Sequence, residues 1–195
     1  LAALHSNNVD KVFVSTDDYE IAGISKLYGA EIIDRPSELA TDSASSDVVI
    51  EHAIKYIKEL EGEPEIVVLL QPTSPLRTSR HIDDAFELYK QKNANIVLSV
   101  FEPSHTPIKA YVEQKDGSMQ GIYSVDAPYK RRQDLPRAFQ PNGAIYLFNV
   151  ISFNKSNRIP RDKAYPFVML KDESADIDTL EDLQSVENYL KRNDK

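Results

Sequence analysis

Asp176 and Asp178 stand two apart in the C-terminal stretch Ala-Asp-Ile-Asp-Thr. In an extended segment that spacing projects both carboxylates to the same side. Two like charges about 4 Å apart repel by roughly 4 kcal/mol at an effective dielectric of 20, so something positive has to offset them. A hard divalent cation that also takes phosphate oxygens would do so, and Mg²⁺ is the ion such oxygen-only sites suit best. Helix capping is the competing explanation. Asp178-Thr179-Leu180-Glu181 fits a capping box with Asp178 as N-cap, which accounts for Asp178 and leaves Asp176 unexplained.

A second polar constellation follows an apolar run, in residues 65–77 (EIVVLLQPTSPLR). Residues 66–70 read as a strand covered on both faces of a parallel sheet. The chain then breaks into Gln71, two prolines, Thr73, Ser74 and Arg77. Ligands of open α/β sheets bind beyond the carboxyl ends of the strands, so this loop is a candidate pocket wall. It also reads as a proline-stiffened turn with Ser79 capping the next helix. Arg77, Lys109, Arg131, Arg132 and Arg137 form a set of cations around a proline-rich region, suited to a carboxylate or phosphate ligand or to a solvated surface. Pro141-Asn142-Gly143-Ala144 reads as a turn with glycine at positive φ, or as a turn that aims Asn142 at a ligand. His5, His52, His81 and His105 lack metal-ligand spacing, and there is no G-x-S-x-G, Walker A or G-x-G-x-x-G motif.

The elements that must position these groups alternate. Strands are expected over 11–15, 31–33, 66–70 and 96–100, with helices over 17–28, 47–60 and 80–90 between them. This β-α-β-α-β-α-β order predicts a parallel sheet with helices on both faces. Residues 103–141 hold five prolines and two short candidate strands, 109–113 and 119–124, and read as an excursion: a lid or an arm reaching a second subunit. Strands over 144–149 and 167–170 and an amphipathic helix over 180–191 close the chain. The 195 residues suffice for one domain with one excursion. A formal charge of −8 argues against a nucleic-acid polymer as partner. The absence of cysteine excludes disulfides and a thiolate nucleophile. No apolar run reaches the roughly 18 residues that span a bilayer, and a cytoplasmic address is expected.

Residues 14–18 (VSTDD), 35–46 (RPSELATDSASS), 69–78 (LLQPTSPLRT), 131–146 (RRQDLPRAFQPNGAIY) and 174–183 (SADIDTLEDL) together resemble the acylneuraminate cytidylyltransferases. These are the CMP-sialic acid synthetases and their legionaminic and pseudaminic acid relatives. The resemblance covers essentially the whole chain in order. It implies a three-layer α/β nucleotide-diphospho-sugar transferase fold, Rossmann-like, with a mostly parallel central sheet. It further implies that 103–141 is a dimerisation arm of a homodimer. The implied reaction takes CTP and a nine-carbon 2-keto sugar acid to the CMP-sugar and pyrophosphate. Asp176 and Asp178 match the Mg²⁺-binding aspartates, and Asp176 is further implied in deprotonating the attacking anomeric hydroxyl. Gln71 and Asn142 match sugar-pocket residues, Lys109 and Arg132 cations near the sugar carboxylate and pyrophosphate, and Arg35 and Ser46 the cytosine pocket.

Two departures shape the expectation. Gln140 stands where some sialic acid enzymes carry arginine, which leaves the sugar open. The family's opening strand and its Gly/Lys/Arg-rich triphosphate loop have no match before Leu1, so a domain short of its first βα unit, impaired in catalysis, is expected. Two alternatives stand beside the leading reading: a transferase for the eight-carbon acid Kdo, and a non-catalytic nucleotide-binding or dimerising domain.

Overall fold

The computed structural model describes residues 1–41 and 43–193. After a short 3₁₀ turn at Ala3–His5, strand β1 (Phe13–Thr16) leads into helix α1 (Tyr19–Leu27). The Asp18 carboxylate starts α1 by accepting hydrogen bonds from the backbone N–H groups of Glu20 and Ile21. Strand β2 (Glu31–Asp34) returns parallel to β1. Helix α2 (Ser46–Glu61) follows and stops at Gly62, whose φ of 95° is open to glycine at little cost. Then come strand β3 (Ile66–Leu69), helix α3 (Ser79–Lys92) and strand β4 (Ile96–Phe101). The cap of α3 is Thr78 rather than Ser79: its hydroxyl accepts from the His81 N–H, and His81 Nδ1 accepts from the Thr78 N–H.

Beyond β4 lies the excursion, with a hairpin of β5 (Tyr111–Glu113) and β6 (Met119–Gly121) and several 3₁₀ turns. Strand β7 (Gln140–Asn149) re-enters the sheet, followed by helix α4 (Val150–Asn154), strand β8 (Ala164–Val168) and helix α5 (Leu180–Asn193). β7 is longer than the expected 144–149. Pro141-Asn142-Gly143 is not a turn before the strand but an irregular part of it, where the β4–β7 register shifts between Leu98 and Val100 and Gly143 sits at φ 73°. β8 starts three residues earlier than expected, at Ala164, and ends at Val168.

The four-stranded sheet has the order β3-β7-β4-β8. β3, β4 and β8 share one direction and β7 opposes its two neighbours. The reason is topological: the excursion leaves and re-enters at the same end of the sheet, where Phe101 pairs with Gln140, so the chain must run back the other way. β1 and β2 form a separate two-stranded sheet. This arrangement corrects one expectation. β3 is half-buried along its whole length instead of covered, because among the described residues β7 is its only strand partner.

Helices cover both faces. On one side α3 packs Ile82, Ala85 and Phe86 with Val97, Ile145 and Leu147. On the other, α2 and α4 pack Ile50, Ile54, Val150 and Phe153 with Ile96 and Phe148. Phe148 and Phe153 are fully buried and stacked with centroids 5.8 Å apart, each stabilising the fold by roughly 2–3 kcal/mol through burial alone. No helix among the described residues is long and apolar enough to cross a membrane.

Candidate active site

The loop after β3 is held by a half-buried cation. Arg77 Nη1 donates to the carbonyls of Gln71, Ser74 and Ala144 at 2.7, 3.0 and 3.2 Å. Burial lowers its pKa to about 10, which still leaves it charged at neutral pH. Arg77 therefore does not belong to the cations of the excursion, with which its place in the sequence grouped it. Ser74, 2% exposed, donates its hydroxyl to the Asn142 carbonyl at 2.8 Å. The Gln71 N–H reaches the Gly143 carbonyl at 3.4 Å. A Cβ on Gly143 would lie 2.2 Å from Gln71 Oε1 and 2.9 Å from Ser74 Oγ. Gly143 is thus required twice, for its positive φ and for the Gln71 side chain lying across it.

The acidic segment docks onto this loop. The N–H of Ile177, the residue between the two aspartates, donates to the Thr73 carbonyl at 2.8 Å. Ile177 is half-buried while Asp176 and Asp178 are exposed, so both aspartates lie open to solvent on a segment docked at Thr73. Asn142 adds a second tie: its Nδ2 donates to Ser174 Oγ at 2.9 Å, and its Oδ1 accepts from the Ala144 N–H at 3.3 Å. Asn142 is only 4% exposed, so its amide faces the acidic segment and β7.

The capping alternative resolves one residue along. Thr179, not Asp178, caps α5: its Oγ1 accepts from the Asp182 N–H, and Asp182 Oδ2 accepts from the Thr179 N–H and hydroxyl. Those hydrogen bonds hold the Asp182 carboxyl below its usual range. Among the described residues neither Asp176 nor Asp178 has a side-chain hydrogen bond or ion pair. Their oxygens are available to a ligand. Among those residues there is no cluster of three or more His, Asp or Glu that could hold a metal, so an ion here would take the two carboxylates and complete its shell from substrate oxygens and water.

Tyr146 on β7 was not singled out by its sequence, where it reads as one more apolar strand residue. It is half-buried beneath the acidic segment, and burial together with the Asp176 charge raises its pKa. It also lines a cavity of about 360 Å³ with Ser46, Asp47, Leu98 and Arg161. This cavity joins the expected nucleotide residue Ser46 to the neighbourhood of Asp176. Arg35 lies elsewhere in the network: its guanidinium bonds Ser15 Oγ at 3.2 Å and the Ser15 carbonyl, and no hydrogen bond links it to Ser46.

The excursion's cations are divided. Arg131 pairs with Asp134 at 2.8 Å. Arg132 donates to the Ser104 carbonyl at 3.2 Å, and Ser104 Oγ in turn receives Lys171 Nζ at 3.5 Å, just ahead of the acidic segment. Lys109 is half-buried at the end of the 3₁₀ turn Pro107–Lys109, and among the described residues its side chain has no hydrogen bond or ion pair.

Residues 1–194 match the family model described as Cytidylyltransferase. The chain is 34% identical over 184 residues to an N-acylneuraminate cytidylyltransferase of Escherichia coli, covering 94% of this chain and 42% of the relative. It is 27% identical over 194 residues to a pseudaminic acid cytidylyltransferase of Campylobacter jejuni, covering 98% and 82%. The chain thus spans less than half the length of its N-acylneuraminate relative. Among solved structures, CMP:2-keto-3-deoxy-manno-octonic acid synthetase complexed with CTP superposes with a TM-score of 0.66 at 17% identity, over 98% of this chain and 85% of that one. A 4-diphosphocytidyl-2C-methyl-D-erythritol synthase from Anaerococcus prevotii gives 0.64 at 13%, over 97% and 82%. At those identities the likeness is one of fold, but the family model spans the acidic pair, the Gln71 loop and the strand that joins them: the chain belongs to the cytidylyltransferase family.

Proposed function

We propose that this domain transfers CMP from CTP to the anomeric hydroxyl of a sialic-acid-like nonulosonic acid, releasing pyrophosphate. The observation that carries the reading is the Ile177 N–H to Thr73 carbonyl hydrogen bond, which docks the segment bearing the two aspartates onto the loop that bears Gln71. The oxygen-only donor set fits Mg²⁺, and Asp176 and Asp178 would hold it. When bound it would neutralise phosphate charge and make the α-phosphorus more electrophilic.

The chain's own groups do the rest. The Gln71 amide orients the sugar, and its position over Gly143 fixes that orientation. Lys109 and Arg132 hold the sugar carboxylate and the leaving pyrophosphate. Arg35 and Ser46 take the cytosine. Asp176 accepts the proton of the anomeric hydroxyl as its oxygen bonds to the α-phosphorus, and the bond to the pyrophosphate oxygen breaks with its electron pair. Asn142 contributes to the sugar pocket by holding Ser174, and with it the acidic segment.

The substrate, CTP, fits a cytoplasmic address. A homodimer is supported by the excursion, where Tyr111, Val112, Met119, Ile122, Tyr123, Val125 and Tyr129 are all exposed, more apolar surface than a lone arm keeps in water without a partner. The test is pyrophosphate release from CTP and Mg²⁺ with a panel of nonulosonic acids and Kdo. Release with a nine-carbon acid supports the reading. Release with Kdo alone moves the substrate to the eight-carbon acid, and CTP binding without release under any sugar leaves a nucleotide-binding module instead.

A further inference from the structure

At the root of the excursion, three charged side chains share one cavity of about 400 Å³: Glu102, Arg132 and Arg137, with Thr106 and Leu135 among its walls. Their contacts are unequal. Arg137 Nη2 donates to Glu102 Oε2 at 3.0 Å, and its guanidinium also lies over the Phe139 ring at 4.8 Å from the centroid. Arg132 Nη2 stands 3.9 Å from Glu102 Oε1, beyond hydrogen-bond range. Among the described residues the Arg132 side chain has one hydrogen bond, to the Ser104 carbonyl, out of a fork of five donors. One arginine is fixed and the other is only steered.

The charges leave the cavity with one net positive charge, and all three side chains are open to water, at 39% exposure for Glu102, 61% for Arg132 and 64% for Arg137. An exposed ion pair at 3.9 Å contributes little, so displacing it costs little. What displaces it has to be a better partner for a guanidinium fork than Glu102. A neutral hydroxyl is not, whereas a carboxylate binding in bidentate fashion is.

We propose that Glu102 is a specificity-determining residue: a resident carboxylate that keeps Arg132 facing the cavity and gives it up only to the carboxylate of an incoming sugar acid. This rests on the cytidylyl-transfer reading, whose substrate carries that carboxylate. Arg137 remains on Glu102 throughout, so the exchange does not strand the glutamate without a partner.

The test compares wild type, Glu102→Gln and Glu102→Asp in direct titrations with a nonulosonic acid, CTP and pyrophosphate, and in turnover. Glu102→Gln, which removes the competing charge and keeps the shape, should tighten sugar-acid binding and lower its KM about three- to tenfold. The KM for CTP and the melting temperature should stay unchanged. Glu102→Asp, which restores a carboxylate, should return the wild-type KM. A rise in the sugar-acid KM of Glu102→Gln, or equal changes for both substrates, would reduce Glu102 to a structural support and overturn the proposal. Tighter binding of pyrophosphate alone would assign the cluster to the nucleotide and overturn it too. If wild type binds CTP but no sugar acid, the cytidylyl-transfer reading itself fails, a result distinct from unchanged binding in Glu102→Gln.

Discussion

Arg77 and Arg132 stand on the two walls of the proposed site, and they are held in opposite ways. Arg77 is half-buried, with one nitrogen shared by the carbonyls of Gln71, Ser74 and Ala144. Arg132 is exposed in the excursion, with a single backbone acceptor and a glutamate beyond bonding distance. The first cation ties three main-chain carbonyls together and works as a fastener; the second has donors to offer and little to hold it. A transferase needs both kinds of wall, one that fixes the reacting geometry and one that exchanges partners as substrate arrives.

The contrast can be broken first where the chemistry is. Asp178→Asn should cut turnover at least about 100-fold, since a ligand charge on the bound ion is lost. Its melting temperature should stay put, because the cap of α5 is Thr179 and Asp182. Calorimetry beside a pyrophosphate assay checks both halves, and unchanged turnover would remove the acidic pair from the mechanism. Next in size is Arg77→Leu, which leaves three inward carbonyls without their donor. It should destabilise by about 3 kcal/mol, or roughly 10 °C in melting temperature, and lower kcat with it. A stable, active Arg77→Leu would show that the loop does not depend on its fastener.

On the exchangeable wall the effect should be confined to binding. Lys109→Ala should raise the KM for the sugar acid severalfold more than that for CTP, at unchanged melting temperature; the reverse order would move Lys109 to the nucleotide side. The smallest effect sharpens the comparison by pH. Asp83 on α3 accepts hydrogen bonds from Ser6, Asn7 and Asn8, and the bond from Ser6 is the main cause that holds its carboxyl below the usual range. A carboxyl lowered in the folded state stabilises fully above its unfolded pKa, about 3.9, and loses that stabilisation as pH falls through the folded value. Protection of the amides at residues 6–8, taken relative to intrinsic exchange at each pH, should therefore fall on acidification below about pH 4 while that of the 71–74 loop, tied by Arg77, is kept.

How legible all this was in the sequence depended on distance along the chain. Alternation and helical spacing located β4 and α3 within a residue or two, because those signals are local. β7 was shortened because Pro-Asn-Gly has the chemistry of a turn, and only pairing with β4 reveals an irregular strand there. The α5 cap slipped by one residue because Asp178 and Thr179 are both competent caps, and the choice falls to the fit of Ile177 against Thr73, a hundred residues away. Asn142 was named but not its surroundings, since its partners Ser174 and Ala144 become neighbours only through that same docking. Glu102 left no local signal, its two arginines lying 30 and 35 residues on.

The Ile177–Thr73 contact has one more consequence, since both of its atoms belong to the main chain. Swapping either side chain leaves donor and acceptor where they are, so the spacing between acids and amide can outlast wide divergence in the surrounding letters. Only an imino acid at position 177 deletes the hinge pin outright, for proline alone brings no hydrogen to that nitrogen. The alignment of this site is thereby written in peptide units, and its tolerance to drift comes from there.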